Sequence, residues 1–166
     1  MTSLRLAEVI VEAVKAKLQQ NMPNRVSEIN QDQSLPQLAP ELQIPDNSSY
    51  YTSGLAAIPI TPALIVAEGP ARFTDEGPHS FITQTNIMVW ILEADPDRQK
   101  LGKRLQRQAR AVIESVWDDS PQETLLGSAF RIFPLRTVPG RVFEPEQDDT
   151  WRGFYAVEFI AQQTEG

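Results

Sequence analysis

The stretch from Phe81 to Pro96, FITQTNIMVWILEADP, decides the fold. From Phe81 to Leu92 β-branched and aromatic residues run without a breaker, which is a strand signal. Ile82, Gln84, Asn86, Met88, Trp90 and Leu92 share one face, and Phe81, Thr83, Thr85, Ile87, Val89 and Ile91 share the other. The first half is apolar on one side at best and the second half on both, as in a strand running from a rim into the middle of a sheet. Asp95-Pro96 then opens a helix, with the carboxylate as cap and the proline at the first helical position, where its missing N–H costs nothing. Leu101, Leu105, Ala109, Val112, Ile113 and Val116 form the apolar stripe of that helix, and Asp118-Asp119-Ser120-Pro121 ends it. Gly102 lies inside it at a cost of roughly 1 kcal/mol against alanine, which points either to close packing or to simple tolerance.

Upstream, Ala63 to Ala67 reads as a strand that pairs with the first through a long connection carrying Gly69-Pro70 and Asp75-Glu76-Gly77-Pro78. Residues Ser3 to Gln20 carry Leu6, Val9, Ile10, Ala13, Val14 and Leu18 at helical spacing, with Asn21-Met22-Pro23 as the expected stop. Between them, Ser34 to Gly54 mixes Pro36, Pro40 and Pro45 with Ser, Gln, Asn and Tyr, and reads as a long irregular arm. A structureless connection of about 20 residues is unusual in a compact domain, so the arm needs a partner or stays disordered. Downstream come Ala129 to Val138 and Trp151 to Ala161, strands joined by the proline-, glycine- and acid-rich stretch Pro139 to Thr150. The expected fold is α+β: one domain over residues 1–166, with a mostly antiparallel four-stranded sheet, two helices packed on one face and a proline-containing arm at about 34–54.

Composition narrows the chemistry. The 166 residues include 15 Lys+Arg against 22 Asp+Glu, a net charge of −7, which argues against a protein that grips nucleic acid through its phosphates. The absence of cysteine removes thiolate metal sites and cysteine nucleophiles, and fits assembly in a reducing cytoplasm. Glu8 and Glu12 interrupt any signal-peptide stretch, and the longest apolar run, Ile87 to Leu92, is too short for a bilayer, so no membrane partner is expected. His79, the only histidine, reads as a turn residue, and neither a metal nor a cofactor is expected. The paired carboxylates Asp118-Asp119, Asp148-Asp149 and Glu144/Glu146 lie in breaker-rich, solvated segments. With no phosphate-binding glycine loop and no GxSxG elbow, the expectation is a protein that is not an enzyme. A small α+β ligand-binding module, with His79, Glu68 and Arg72 as its polar groups, is the alternative from another class.

On the second helix Lys100, Lys103, Arg104, Arg107 and Arg110 cluster opposite the apolar stripe. They read as a wet helix face, as a surface that meets acid from a neighbour such as the Glu144 to Asp149 loop of another copy, or, least of all, as a DNA contact.

The N-terminal helix Leu4 to Gln20, the proline-led strand Thr61-Pro62-Ala63-Leu64-Ile65-Val66, the strand Asn86 to Leu92 leading into Glu93-Ala94-Asp95-Pro96, the helix Leu101 to Trp117 and the last strand Gly153 to Ala161 follow one another in an order that resembles the tail terminator and neck proteins of long-tailed bacteriophages. The resemblance implies a virion protein assembled in the host cytoplasm, forming a hexameric ring that caps the tail tube and meets the head–tail connector. The adjacent connector and a tail completion protein are the alternatives within that class. Its implied partners are other copies of itself, the tail tube protein and the connector protein, with the sheath protein as a further candidate and DNA passing without specific binding. On that footing Tyr50, Tyr51, Leu42, Ile44, Lys100, Lys103, Arg104, Arg107, Glu144, Glu146, Asp148 and Asp149 are candidate contacts between subunits, chosen for expected exposure. Asp118 and Asp119 are candidates for an acidic lumen that repels DNA.

Overall fold

A computed structural model of the chain describes residues 3–52, 60–77, 80–117, 131–146 and 148–165. In chain order the elements are α1 (Ser3–Gln31), a 3-10 turn (Asn47–Ser49), β1 (Tyr50–Tyr51), β2 (Ala63–Gly77), β3 (Ser80–Asp95), α2 (Arg98–Val116), β4 (Arg131–Phe143) and β5 (Trp151–Glu165). The strands form one five-stranded sheet in the order β1-β2-β3-β5-β4. All neighbours are antiparallel except β1 and β2, which run parallel through Tyr50↔Leu64 and Tyr51↔Ile65. The α+β class therefore holds, but the sheet is mixed and has five strands where four were expected. The extra strand is the end of the arm, too short for any periodic signal to mark it.

Three breaker signals were absorbed by the fold. The first helix does not stop at Asn21-Met22-Pro23; it continues to Gln31 with Pro23 inside. A proline in a helix interior costs about 3 kcal/mol through its lost hydrogen bond and ring clash. Next to it and beyond it, Met22, Val26 and Ile29 extend the inward stripe of Ile10, Val14 and Leu18 and are all essentially buried. At about 1.5–3 kcal/mol for each such side chain, the burial outweighs the proline. Val9, expected on that stripe, instead points outward and is 40% exposed.

The second is Gly69-Pro70. The strand passes them in a bulge between Glu68 and Ala71 and runs on to Gly77, pairing with β3 as far as Ser80. The expected long connection is thus mostly strand. The third is the segment after Val138, where β4 continues to Phe143. Pro134 and Pro139 pair with Phe159 and Tyr155, four residues apart on β5, so the bulge between Pro134 and Arg136 puts both prolines at equivalent ladder positions on an edge strand. Gly140 sits in the next bulge, where a Cβ would lie 2.5 Å from the Phe154 carbonyl oxygen.

The helix α2 begins later than expected. Asp97, not Asp95, is its N-cap, accepting from the N–H groups of Gln99 and Lys100. Gly102 has open space around the position a Cβ would take, so it is tolerated and not a packing point. Gly102→Ala should therefore raise stability by up to about 1 kcal/mol in a urea titration.

Both helices pack together in one layer on one face of the sheet. The core joins Ile10, Val14, Leu18, Met22, Val26, Leu101, Leu105 and Val112 from the helices to Leu64, Val66, Ile87, Val89, Ile91, Val157 and Phe159 from the strands. The sheet residues in it are every second residue of their strands, as the alternation in Phe81 to Leu92 predicts.

Candidate assembly interface

Two surfaces stand out: the cradle that holds the arm, and the sheet face that no helix covers among the described residues. The cradle begins where β3 ends. Ile87, Val89 and Ile91 face the helices, and Glu93 and Asp95 continue the same alternation into the interior, 4% and 5% exposed. Asp95 Oδ2 accepts from Arg104 Nε at 2.6 Å, and its Oδ1 accepts from the Asp97 N–H at 2.7 Å. Burial pushes the Asp95 carboxyl up, but the Arg104 guanidinium and the Asp97 amide outweigh it and hold it below the ordinary value. The other two Arg104 nitrogens donate to the carbonyls of Pro40, at 2.7 Å, and Glu41, at 3.2 Å. One buried guanidinium thus joins the sheet, α2 and the arm.

Its neighbours repeat the pattern along 36–43. Lys100 Nζ donates to the Ala39 carbonyl at 3.1 Å, Arg107 to that of Pro36, and Gln108 Nε2 to that of Gln43 at 2.8 Å. From α1, Asn30 bonds both the N–H and the carbonyl of Leu42. Gln108 also reaches Glu93 Oε2 at 3.3 Å. Burial raises the Glu93 carboxyl to about 7, against the lowering effects of Gln108 and Arg104. Arg110 pairs with Asp32 at 3.2 Å, where α1 gives way to the arm, and with Glu114 on its own helix.

Three members of the basic stripe, Lys100, Arg104 and Arg107, therefore hold main-chain carbonyls of this same chain. Lys103 is exposed. The arm is not an outstretched strap: without regular structure over 32–46, it packs on α1 and α2 and enters the sheet as β1. Leu42 and Tyr50, expected to be exposed, are buried in the core, and Arg104 is only 3% exposed; Tyr51 is half-buried and Ile44 exposed. Burial also raises the Tyr50 hydroxyl above its ordinary range. Glu144, Glu146, Asp148 and Asp149 are exposed on the β4–β5 loop, with Asp148 gripping Arg152 at 2.5 Å. That contact lowers the Asp148 carboxyl. Asp118, Asp119 and His79 lie outside the described residues; Glu68 is exposed, and the Arg72 side chain is not among those described. Glu93, Gln108 and Asn30 were not singled out from the sequence. The period of two through Ile87, Val89 and Ile91 carried the signal for Glu93.

The second surface is the opposite side of the sheet. There Ile65 stands across from Trp90, Trp90 from Ala156, and Leu92 from Phe154, with Ile160 and Phe133 paired nearby. Ala63, Leu92 and Ala156 are buried among these neighbours yet take no part in the helix-side core. Among the described residues no helix packs on this face. Phe133 and Phe143 add exposed apolar side chains to this face along β4, and Leu135 is exposed in the bulge between them; Val142, paired with Gly153 beside Leu101 and Leu105, is exposed on the helix side. Glu158, 5% exposed, accepts from Asn86 Nδ2 at 2.7 Å and from Arg136 Nε at 2.5 Å on this face. No group of three or more residues suited to hold a metal ion occurs among the described residues, and no helix there is long and apolar enough to cross a membrane.

No family model matches the chain, and no curated protein matches it. Among solved structures the chain is similar to one described as the virion of a native gene transfer agent particle, with a TM-score of 0.37 and 16% identity over 90% of this chain and 95% of that one.

Proposed function

We propose that this chain is a structural protein of a phage-like virion, whose copies form a ring at the tail end that caps the tube and joins it to the head connector. The observation that carries the reading is the apolar sheet face, on which no helix packs among the described residues, beside an edge strand with four exposed apolar side chains. Such a surface on a small domain marks an interface, and a contact between unlike surfaces of identical copies gives a ring when its rotation closes. The element order, through its resemblance to the tail terminator and neck proteins, is what supports the proposed place in the particle and the number six. The work is recognition between surfaces, with no bond made or broken. The adjacent connector and a tail completion protein share this chemistry and differ in which partner each face meets.

Labelling the chain in purified virions and imaging them by electron cryomicroscopy tests the place. The expected result is a ring of density at the head–tail junction. Label confined to the capsid shell or absent from particles overturns the reading.

A further inference from the structure

We infer that the arm is fastened by a proton-sensitive latch, in which ionisation of Glu93 beneath Gln108 loosens residues 40–43 from the cradle. The inference concerns one copy by itself and does not depend on how copies assemble. Gln108 is the contact through which the latch acts. Its side chain is fully buried, and its amide nitrogen donates both to the Gln43 carbonyl on the arm and to Glu93 Oε2 at the end of β3. The oxygen of the same amide has no hydrogen-bond partner among the described residues. A neutral Glu93 carries a hydroxyl, the kind of donor that this oxygen lacks, whereas an ionised Glu93 only accepts. The arrangement therefore favours the protonated acid while the arm is down.

The charged groups that face Glu93 are Arg104 on α2 and Asp95 on its own strand. Arg104 is committed to Asp95 and to the carbonyls of Pro40 and Glu41, and Asp95 adds a like charge. On β5 the residue across from Glu93 is Gly153, which brings no side chain, and the arm brings main-chain carbonyls, with the Glu41 side chain exposed. Burial accordingly raises the Glu93 carboxyl to about 7. Two events can relieve its charge: water enters beside Gln108, or Arg104 turns from the arm carbonyls to Glu93. Either one removes donors that hold 40–43, so the arm is the element that gives. With the arm lifted, Glu93 returns toward its ordinary 4.5, so the closed arm holds the proton more tightly and its grip weakens as pH rises from 4.5 through 7. Asp95, held below its ordinary 3.8, stays ionised throughout that range.

The test is hydrogen exchange on the native full chain, read as the protection factor of the Leu42 amide, which Asn30 Oδ1 holds, beside those of Val89 and Val157 in the sheet. Leu42 should be less protected than the two valines at every pH, because the arm opens without the sheet. Between about pH 5 and about pH 8 its protection should fall about tenfold or more. In Glu93→Gln, which keeps the shape and cannot ionise, Leu42 should hold its low-pH protection across the range. Leu42 protection that does not change with pH overturns the inference, and so does protection equal to that of Val89 and Val157, which would mean that the arm opens only with the whole fold. Both readings come from the wild type alone and stand even if the variant fails to fold. A Glu93→Gln chain that repeats the wild-type fall also overturns it, by assigning the effect to another group such as His79.

Discussion

Arg104→Ala should lower the free energy of unfolding by about 3–5 kcal/mol, the cost of removing one partner from a buried ion pair. The side chain is 3% exposed and ties the end of β3, the second turn of α2 and the arm together through a buried ion pair and two carbonyls. Its loss leaves Asp95 buried without its cation and the carbonyls of Pro40 and Glu41 without their donors. Arg104→Lys should recover only part of the loss, because an ammonium cannot reach three acceptors in the plane of a fork. Urea titration measures the stability, and hydrogen exchange on residues 36–46 should show the arm losing protection well before the sheet does. Equal exchange in arm and sheet, or a loss under about 1 kcal/mol, would mean that the cradle does not depend on this residue.

The second large effect is one of pH. Glu93 titrates at about 7 in the folded chain, against an ordinary value of 4.5, because it is buried beneath Gln108. The folded state therefore keeps a proton that the unfolded chain gives up as pH rises from 4.5 toward 7. Stability should fall through that window and level off above it, by about 3 kcal/mol in all, since each pH unit between the folded and unfolded titration points is worth roughly 1.4 kcal/mol. Asp95 acts in the opposite sense: its lowered carboxyl contributes stability above the ordinary 3.8 that is lost as pH falls below it. Glu93→Gln keeps the shape, removes the titration and should flatten the profile between pH 4.5 and 7. Above pH 7 it should be more stable than the wild type by about the same 3 kcal/mol. A wild-type profile that rises through the window would contradict this account of the Glu93 site.

The sheet alternation and the two helices were legible because periodicity in Phe81 to Leu92 and in Leu101 to Val116 reports directly on which side is buried. Breakers were the unreliable signals. Pro23, Gly69-Pro70 and Pro139-Gly140 each read as an end, and each sits inside an element where packing or a bulge absorbs it. The expected subunit contacts drew on residue type, which does not distinguish an anchor for a neighbour from one for the chain's own core. Tyr50 and Leu42 proved to be of the second kind. The basic stripe was visible as a cluster, but its targets were main-chain carbonyls, which every residue carries and no sequence pattern marks. The cradle accounts for the arm with this chain's own groups and leaves the open sheet face as the surface without a cover among the described residues.

The most direct measurement of that claim is the mass of the purified chain by multi-angle light scattering across a wide concentration range, with and without tail tubes. The account predicts a discrete closed species near six copies, in equilibrium with smaller ones or formed on the tubes. A chain that remains a single copy under every condition would contradict it.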